Sequence, residues 1–124
     1  MTEEELQRVI AQAQAEYERV VAPARAEYDR VKAEALAECN RVEAEAEAEY
    51  DRAIAPAQTK YDRAIARAEY QRVTAPARAE FKRVDAQAWA VLARVIAKAE
   101  AEYKRVKAEA KAEYRRATGE DYEP

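Results

Sequence analysis

The groups in this chain that could do chemistry are one thiol, eight tyrosine hydroxyls, 25 carboxylates and 22 basic side chains, with no histidine. Cys39 is the single cysteine, so no intrachain disulfide is possible. Without histidine or a second thiol it has no co-ligands for a soft metal, and it reads as a small buried side chain. The densest acidic run, Glu43-Ala44-Glu45-Ala46-Glu47-Ala48-Glu49, spreads its carboxylates around a helix. It lacks the glycine turn that lets a calcium loop wrap its ion. No glycine-rich phosphate loop or nucleophile motif occurs, and catalysis needs groups of different character brought together. The sequence therefore argues against an enzyme and implies no cofactor and no metal.

The spacing of the charges explains them better than any reaction does. Arginine recurs at Arg8, Arg19, Arg30, Arg41, Arg52, Arg63, Arg72, Arg83, Arg94, Arg105 and Arg116. Each interval is eleven residues except Arg63 to Arg72, which is nine. Glutamate stands three residues before the arginine in Glu16/Arg19, Glu27/Arg30, Glu38/Arg41, Glu49/Arg52, Glu69/Arg72, Glu80/Arg83, Glu102/Arg105 and Glu113/Arg116. On a helix such pairs are neighbours, each contributing a few tenths of a kcal/mol, about 0.2–0.5, while exposed.

Eleven residues make three helical turns at about 3.67 residues per turn, so each slot of the repeat keeps to one helix face. Slot one holds Leu6, Tyr17, Tyr28, Cys39, Tyr50, Tyr61, Tyr70, Phe81, Leu92, Tyr103 and Tyr114. Slot four holds Val9, Val20, Val31, Val42, Ala53, Ala64, Val73, Val84, Val95, Val106 and Ala117, and slot eight is alanine from Ala13 to Ala110. These three slots fall within about 65° of one another, the core stripe of an eleven-residue, right-handed coiled coil. The tyrosine hydroxyls of such a stripe reach its rim for water or a backbone carbonyl. Slots six and ten, as in Ala22 with Ala26 or Ala108 with Ala112, form a second stripe on nearly the opposite side. Two opposed faces suit a helical sheet or barrel; alternatively these alanines are strong helix formers left in water.

Composition sets the scale of what can be buried. Just over a quarter of the 124 residues are alanine, with three leucines, four isoleucines, one phenylalanine and one tryptophan. Burying methyl groups yields little transfer free energy against the ordering entropy, so copies of the same chain are expected to supply further contacts. Residues 1–49 carry 6 basic and 13 acidic side chains, net −7; residues 50–124 carry 16 and 12, net +4. This gradient favours antiparallel neighbours, and neither half is basic enough for nucleic acid. The N-terminus is acidic and the longest uncharged stretch, Ala86–Ala93, falls short of the ~20 residues a membrane span needs. A cytoplasmic or virion-associated protein, not a secreted one, is expected.

The ends carry helix signals. Thr2 with Glu5 forms a capping box, and Lys111, Arg115 and Arg116 precede the stop at Gly119. A helix over residues 3–117 would be about 170 Å long, with a frayed tail at 118–124. Pro23, Pro56 and Pro76 share slot seven, and a kink is expected at Pro23. Pro56 is followed by Gln58-Thr59-Lys60, where Thr59 with Asp62 could cap a new helix. Two residues are missing between Tyr61 and Tyr70, which turns the tyrosine stripe by almost half a revolution. Either one long helix presents tyrosine to opposite neighbours, or the chain folds back near Ala55–Lys60 into an antiparallel hairpin. Scarce loop residues favour the single helix. The widest apolar window, residues 84–97, contains Trp89, Val91 and Ile96, a candidate docking patch or a thickened oligomer core.

The units Ala-Pro-Ala-Arg-Ala-Glu-Tyr-Asp-Arg-Val (22–31) and Ala-Pro-Ala-Arg-Ala-Glu-Phe-Lys-Arg-Val (75–84) resemble tandem hendecad repeats of uncharacterised phage and bacterial proteins. The resemblance covers residues 6–118. It implies a self-associating all-α rod or barrel and brings no catalytic residues. Eleven-residue repeats with phased prolines also occur in exchangeable apolipoproteins, which lie on lipid. The apolar face here is mostly Ala, Val and Tyr, too weak for strong interfacial binding. Late-embryogenesis protective proteins share the composition without the Tyr/Val stripe. The reading that emerges is a structural homo-oligomer.

Overall fold

The structure, a computed structural model, describes residues 1–121. Two helices account for nearly all of them: α1 (Glu3–Ile54) and α2 (Lys60–Thr118). The chain therefore breaks at residues 55–59, and the single long helix favoured above is not what forms. The break needs no glycine. Pro56 has no amide to donate, and the Ala55 and Ala57 amides close a tight turn on the Asp51 and Ile54 carbonyls, each at 3.1 Å. Thr59 then starts α2, its hydroxyl accepting from the Asp62 amide at 3.1 Å. Thr2 does the same for α1, accepting from Glu5 at 3.1 Å. Gly119 ends α2 at a φ of 74°, the left-handed region, and donates to the Arg115 carbonyl at 2.7 Å. Of the expected tail, 118–124, Thr118 is still helical and residues 122–124 lie outside the described residues.

Pro56 shares its slot with Pro23 and Pro76, yet α1 continues through the first and α2 through the second. Both are exposed, so the carbonyls four residues back, of Arg19 and Arg72, lose their helical donors on a wet face where water replaces them.

The helices pack in two units. One joins residues 1–27 to the described residues from 90 onward; the other, residues 28–89, is a hairpin containing the turn. In the first, Tyr17 meets Tyr103 with ring centroids 6.2 Å apart; in the second, Tyr50 meets Tyr70 at 5.9 Å. Slot one thus faces slot one across an antiparallel pair in each unit. Buried residues follow the same slots: Leu6, Cys39 and Leu92 in slot one, and Ala13, Ala46, Ala66, Ala99 and Ala110 in slot eight. A further slot joins them. Slot five carries Val21 and Thr74, 0% and 1% exposed. Thr74 satisfies its hydroxyl by donating to the Tyr70 carbonyl at 3.0 Å. Slots six and ten are exposed throughout both helices, apart from the region of the phase break.

The phase break falls in the first turns of α2. Tyr61, in the frame before it, is 74% exposed, whereas Ala66 and Tyr70, counted in the frame after it, turn toward α1. The two helices also differ in charge: α1 has 7 basic and 14 acidic side chains, net −7, and α2 has 15 and 8, net +7.

Leu92→Ala should cost about 2–5 kcal/mol in urea unfolding, because it empties a site only 4% exposed. Leu36→Ala, at an exposed position, should shift stability by less than about 0.5 kcal/mol.

Candidate assembly interface

Within each unit the two flanks of the helix contact carry different side chains. Around each helix the inward slots run in the order five, one, eight, four. On the slot-five flank of the second unit stand polar and aromatic side chains, and Trp89 and Leu36 beside them remain exposed. Tyr28 donates its hydroxyl to Asp85 Oδ1 at 2.6 Å, which holds its own pKa above the ordinary phenol value, with desolvation adding to the effect. Trp89 stands edge-on to the Tyr28 ring at 5.6 Å, and the Lys32 ammonium lies 5.7 Å from the same ring centre. Arg78 Nε donates to Glu43 Oε1 at 2.6 Å, an ion pair that joins α1 to α2. That bond keeps the Glu43 carboxyl below its ordinary range. The Cys39 thiol also points at Glu43 Oε1, 3.7 Å away, and burial, aided by that carboxylate, pushes its pKa up. A raised pKa makes a poor nucleophile.

The slot-four flank is open in both units. In the first, a groove of about 1010 Å³ is lined by Val9, Ala13, Tyr17 and Val20 from α1 and by Val95, Ala99, Tyr103 and Val106 from α2. In the second, a groove of about 780 Å³ is lined by Val42, Ala46, Tyr50 and Ala53 from α1 and by Ile65, Ala66, Tyr70 and Val73 from α2. The lining order is nearly the same in all four segments because all are the same repeat. Val20 is 48% exposed and Val73 41%, each one residue from a wholly buried neighbour. That one-residue step, about 100° around the helix, separates the closed seam from the open flank.

Beyond the grooves stand the ion pairs. Glu16/Arg19 and Glu102/Arg105 close at 2.5 Å in the first unit. Glu38/Arg41 and Glu69/Arg72 close at 2.5 and 2.7 Å in the second, where Glu49/Arg52 and Glu80/Arg83 also pair. Arg41 and Arg105 each reach forward as well, to Glu45 and Glu109. All lie within one helix and are well exposed, so each contributes little alone.

Most of the slot-one and slot-four residues expected in a core do line the helix pair. Tyr17, Tyr28, Tyr50, Tyr70, Phe81, Tyr103 and Tyr114 are half-buried, as are Val9, Val31, Val42, Val84, Val95 and Val106. Tyr61, Val20 and Val73 are exposed. The three residues of the apolar window take different places: Trp89 stands edge-on to Tyr28 yet is 55% exposed, Ile96 is half-buried in slot five, and Val91 is exposed in slot eleven, beside slot four. Slot five was missed by the sequence pattern because it mixes Ile10, Val21, Lys32, Glu43, Thr74 and Asp85. Among the described residues no group of three or more acidic or cysteine side chains is placed to hold a metal, and no helix is long and apolar enough to cross a membrane. No known protein family matches the chain, nor does any curated protein or solved structure.

Because Glu43 is held below the ordinary carboxylate value of 4.5, its contribution is present above that pH and lost as pH falls through the lower folded value. Glu43→Gln should therefore be less stable than the parent chain near neutrality. The two urea midpoints should converge in acid, once the parent's carboxyl is protonated.

Proposed function

We propose that this chain is a structural protein that assembles with copies of itself into a right-handed, eleven-residue-repeat helical bundle through its Tyr, Val and Ala stripes. The open grooves carry this reading. A two-helix pair covers slots one, eight and five, while slot four, valine in most repeats, still faces water on one side. Leaving those side chains wet forgoes about 25 cal/mol for each Å² of apolar surface that a partner could cover. The regular repeat supports a partner of the same regularity, since a periodic groove is filled most completely by a helix of the same period. A bundle fits better than a barrel, because a wide barrel needs a second contact face, and slots six and ten offer only alanine methyls to water.

Lipid-surface binding is the weaker reading, since the exposed apolar groups are few and are fenced by ion pairs. Light scattering after size exclusion, at two protein concentrations, should give a discrete multiple of 14.1 kDa that survives dilution. A monomer at both concentrations would overturn self-assembly. Anionic vesicles should leave the helical circular-dichroism signal unchanged; a marked gain would favour the lipid reading instead.

A further inference from the structure

We propose that the tyrosine contacts between the helices, Tyr17 with Tyr103 in the first unit and Tyr50 with Tyr70 in the second, are sites of oxidative coupling. A one-electron oxidant joins the two rings of each pair through a carbon–carbon bond and so ties α1 to α2 covalently. Each site lies within one unit of a single chain, and it stands whether or not copies assemble.

Geometry supplies the first argument. The Tyr17 and Tyr103 rings are tilted at 57° with centres 6.2 Å apart, and the Tyr50 and Tyr70 rings meet edge-on at 61° and 5.9 Å. At these separations the two rings of each pair are in contact. Radicals formed on both need no diffusion to meet, and a pair held in place reacts as if at high local concentration. Tyr28 is placed differently, its hydroxyl bonded to Asp85 and its ring against Trp89. Tyr61 is largely exposed.

Access supplies the second. Each pair lines the open groove of its own unit. Tyr17 and Tyr103 are also reached from the other flank, through a cavity of about 340 Å³ that they share with Gln14, Glu18, Glu100 and Lys104. In the reaction each phenol gives one electron to the oxidant and its hydroxyl proton to water. The Lys107 ammonium, 5.7 Å from the Tyr103 ring centre, opposes a positive charge on that ring, so there the proton leaves with the electron. The two neutral radicals bond through ring carbons beside the hydroxyls. The hydrogen on each joined carbon then passes to its oxygen through water as the ring regains aromaticity. Two hydrogens leave per pair, and one hydrogen peroxide accepts them to become water.

The rest of the chain gives the bond something to do. A single cysteine rules out an intrachain disulfide, and the buried residues are mostly alanine. Coupling of Tyr50 to Tyr70 closes a loop around the turn, while coupling of Tyr17 to Tyr103 closes one that holds most of the chain. A cross-link restricts the unfolded chain, and the longer loop restricts it more.

The test exposes the full chain to a haem peroxidase and hydrogen peroxide over a range of protein concentrations. The blue fluorescence of coupled tyrosine should appear within chains of single mass, at every dilution. After trypsin, peptide 9–19 should be joined to 99–104 and peptide 42–52 to 68–72, each product lighter than its two parts by two hydrogens. Tyr103→Phe should lose the first cross-link alone and Tyr70→Phe the second alone, each with its helical circular-dichroism signal unchanged. Tyr61→Phe should keep both. The coupled chain should unfold at a higher urea midpoint than the untreated one. Coupling found only in chains of doubled mass and lost on dilution, or carried by Tyr61, overturns the proposal, as does treated protein without coupled tyrosine. A chain coupled at one pair alone overturns the assignment of the other. Self-assembly is decided separately, by light scattering on untreated protein.

Discussion

Two helices with an eleven-residue period bury anything only if the same slots of each face one another along the contact, and everything else in this structure follows from that phase condition. Alanine in slot eight brings the backbones close, and tyrosine or its replacements in slot one fill the space between successive alanines. The turn and the phase break both serve the condition. The phase break does so most visibly. If the frame of Tyr61 continued, the stripe of α2 would lie on the side away from α1; dropping two residues brings Tyr70 and its successors round to face it.

Much of this was legible in the sequence, and the reasons for the rest are physical. The helix ends could be read because caps are local: Thr2, Thr59 and Gly119 act within four residues of themselves. Slots one and eight could be read because burial makes their residue types recur. Slot five could not, since its position beside the seam admits a buried valine in one repeat and an ion-paired glutamate in another. The turn misled for a different reason. Three prolines occupy one slot, two of them remain inside helices, and only the context after Pro56 tells it apart. Glycine and asparagine are the usual marks of a break, whereas this break consists of alanine, proline, glutamine and threonine. The second alanine stripe, slots six and ten, stays exposed within the single chain outside the region of the phase break, where alanine serves as a strong helix former.

The electrostatics divide by range. Within each helix, glutamate and arginine neutralise one another three or four residues apart, and these exposed pairs help each helix hold its shape more than they hold the helices together. Between helices the ion pair Arg78–Glu43 stands beside the buried Cys39. At longer range the −7 of α1 and +7 of α2 leave the whole chain close to neutral. A balance of that kind favours the antiparallel contact of the two helices as wholes without fixing which repeat meets which.

That last degree of freedom is removed by the turn. Nearly identical repeats could slide past one another by eleven residues and find an almost equivalent core, the usual hazard of a periodic seam. Five residues between Ile54 and Lys60 are too short a tether for such a slip, so the covalent chain sets the alignment and the repeats are free to stay alike. A gain or loss of one repeat is then tolerable only when both arms change together. One arm lengthened alone would leave a full eleven residues of stripe with nothing opposite.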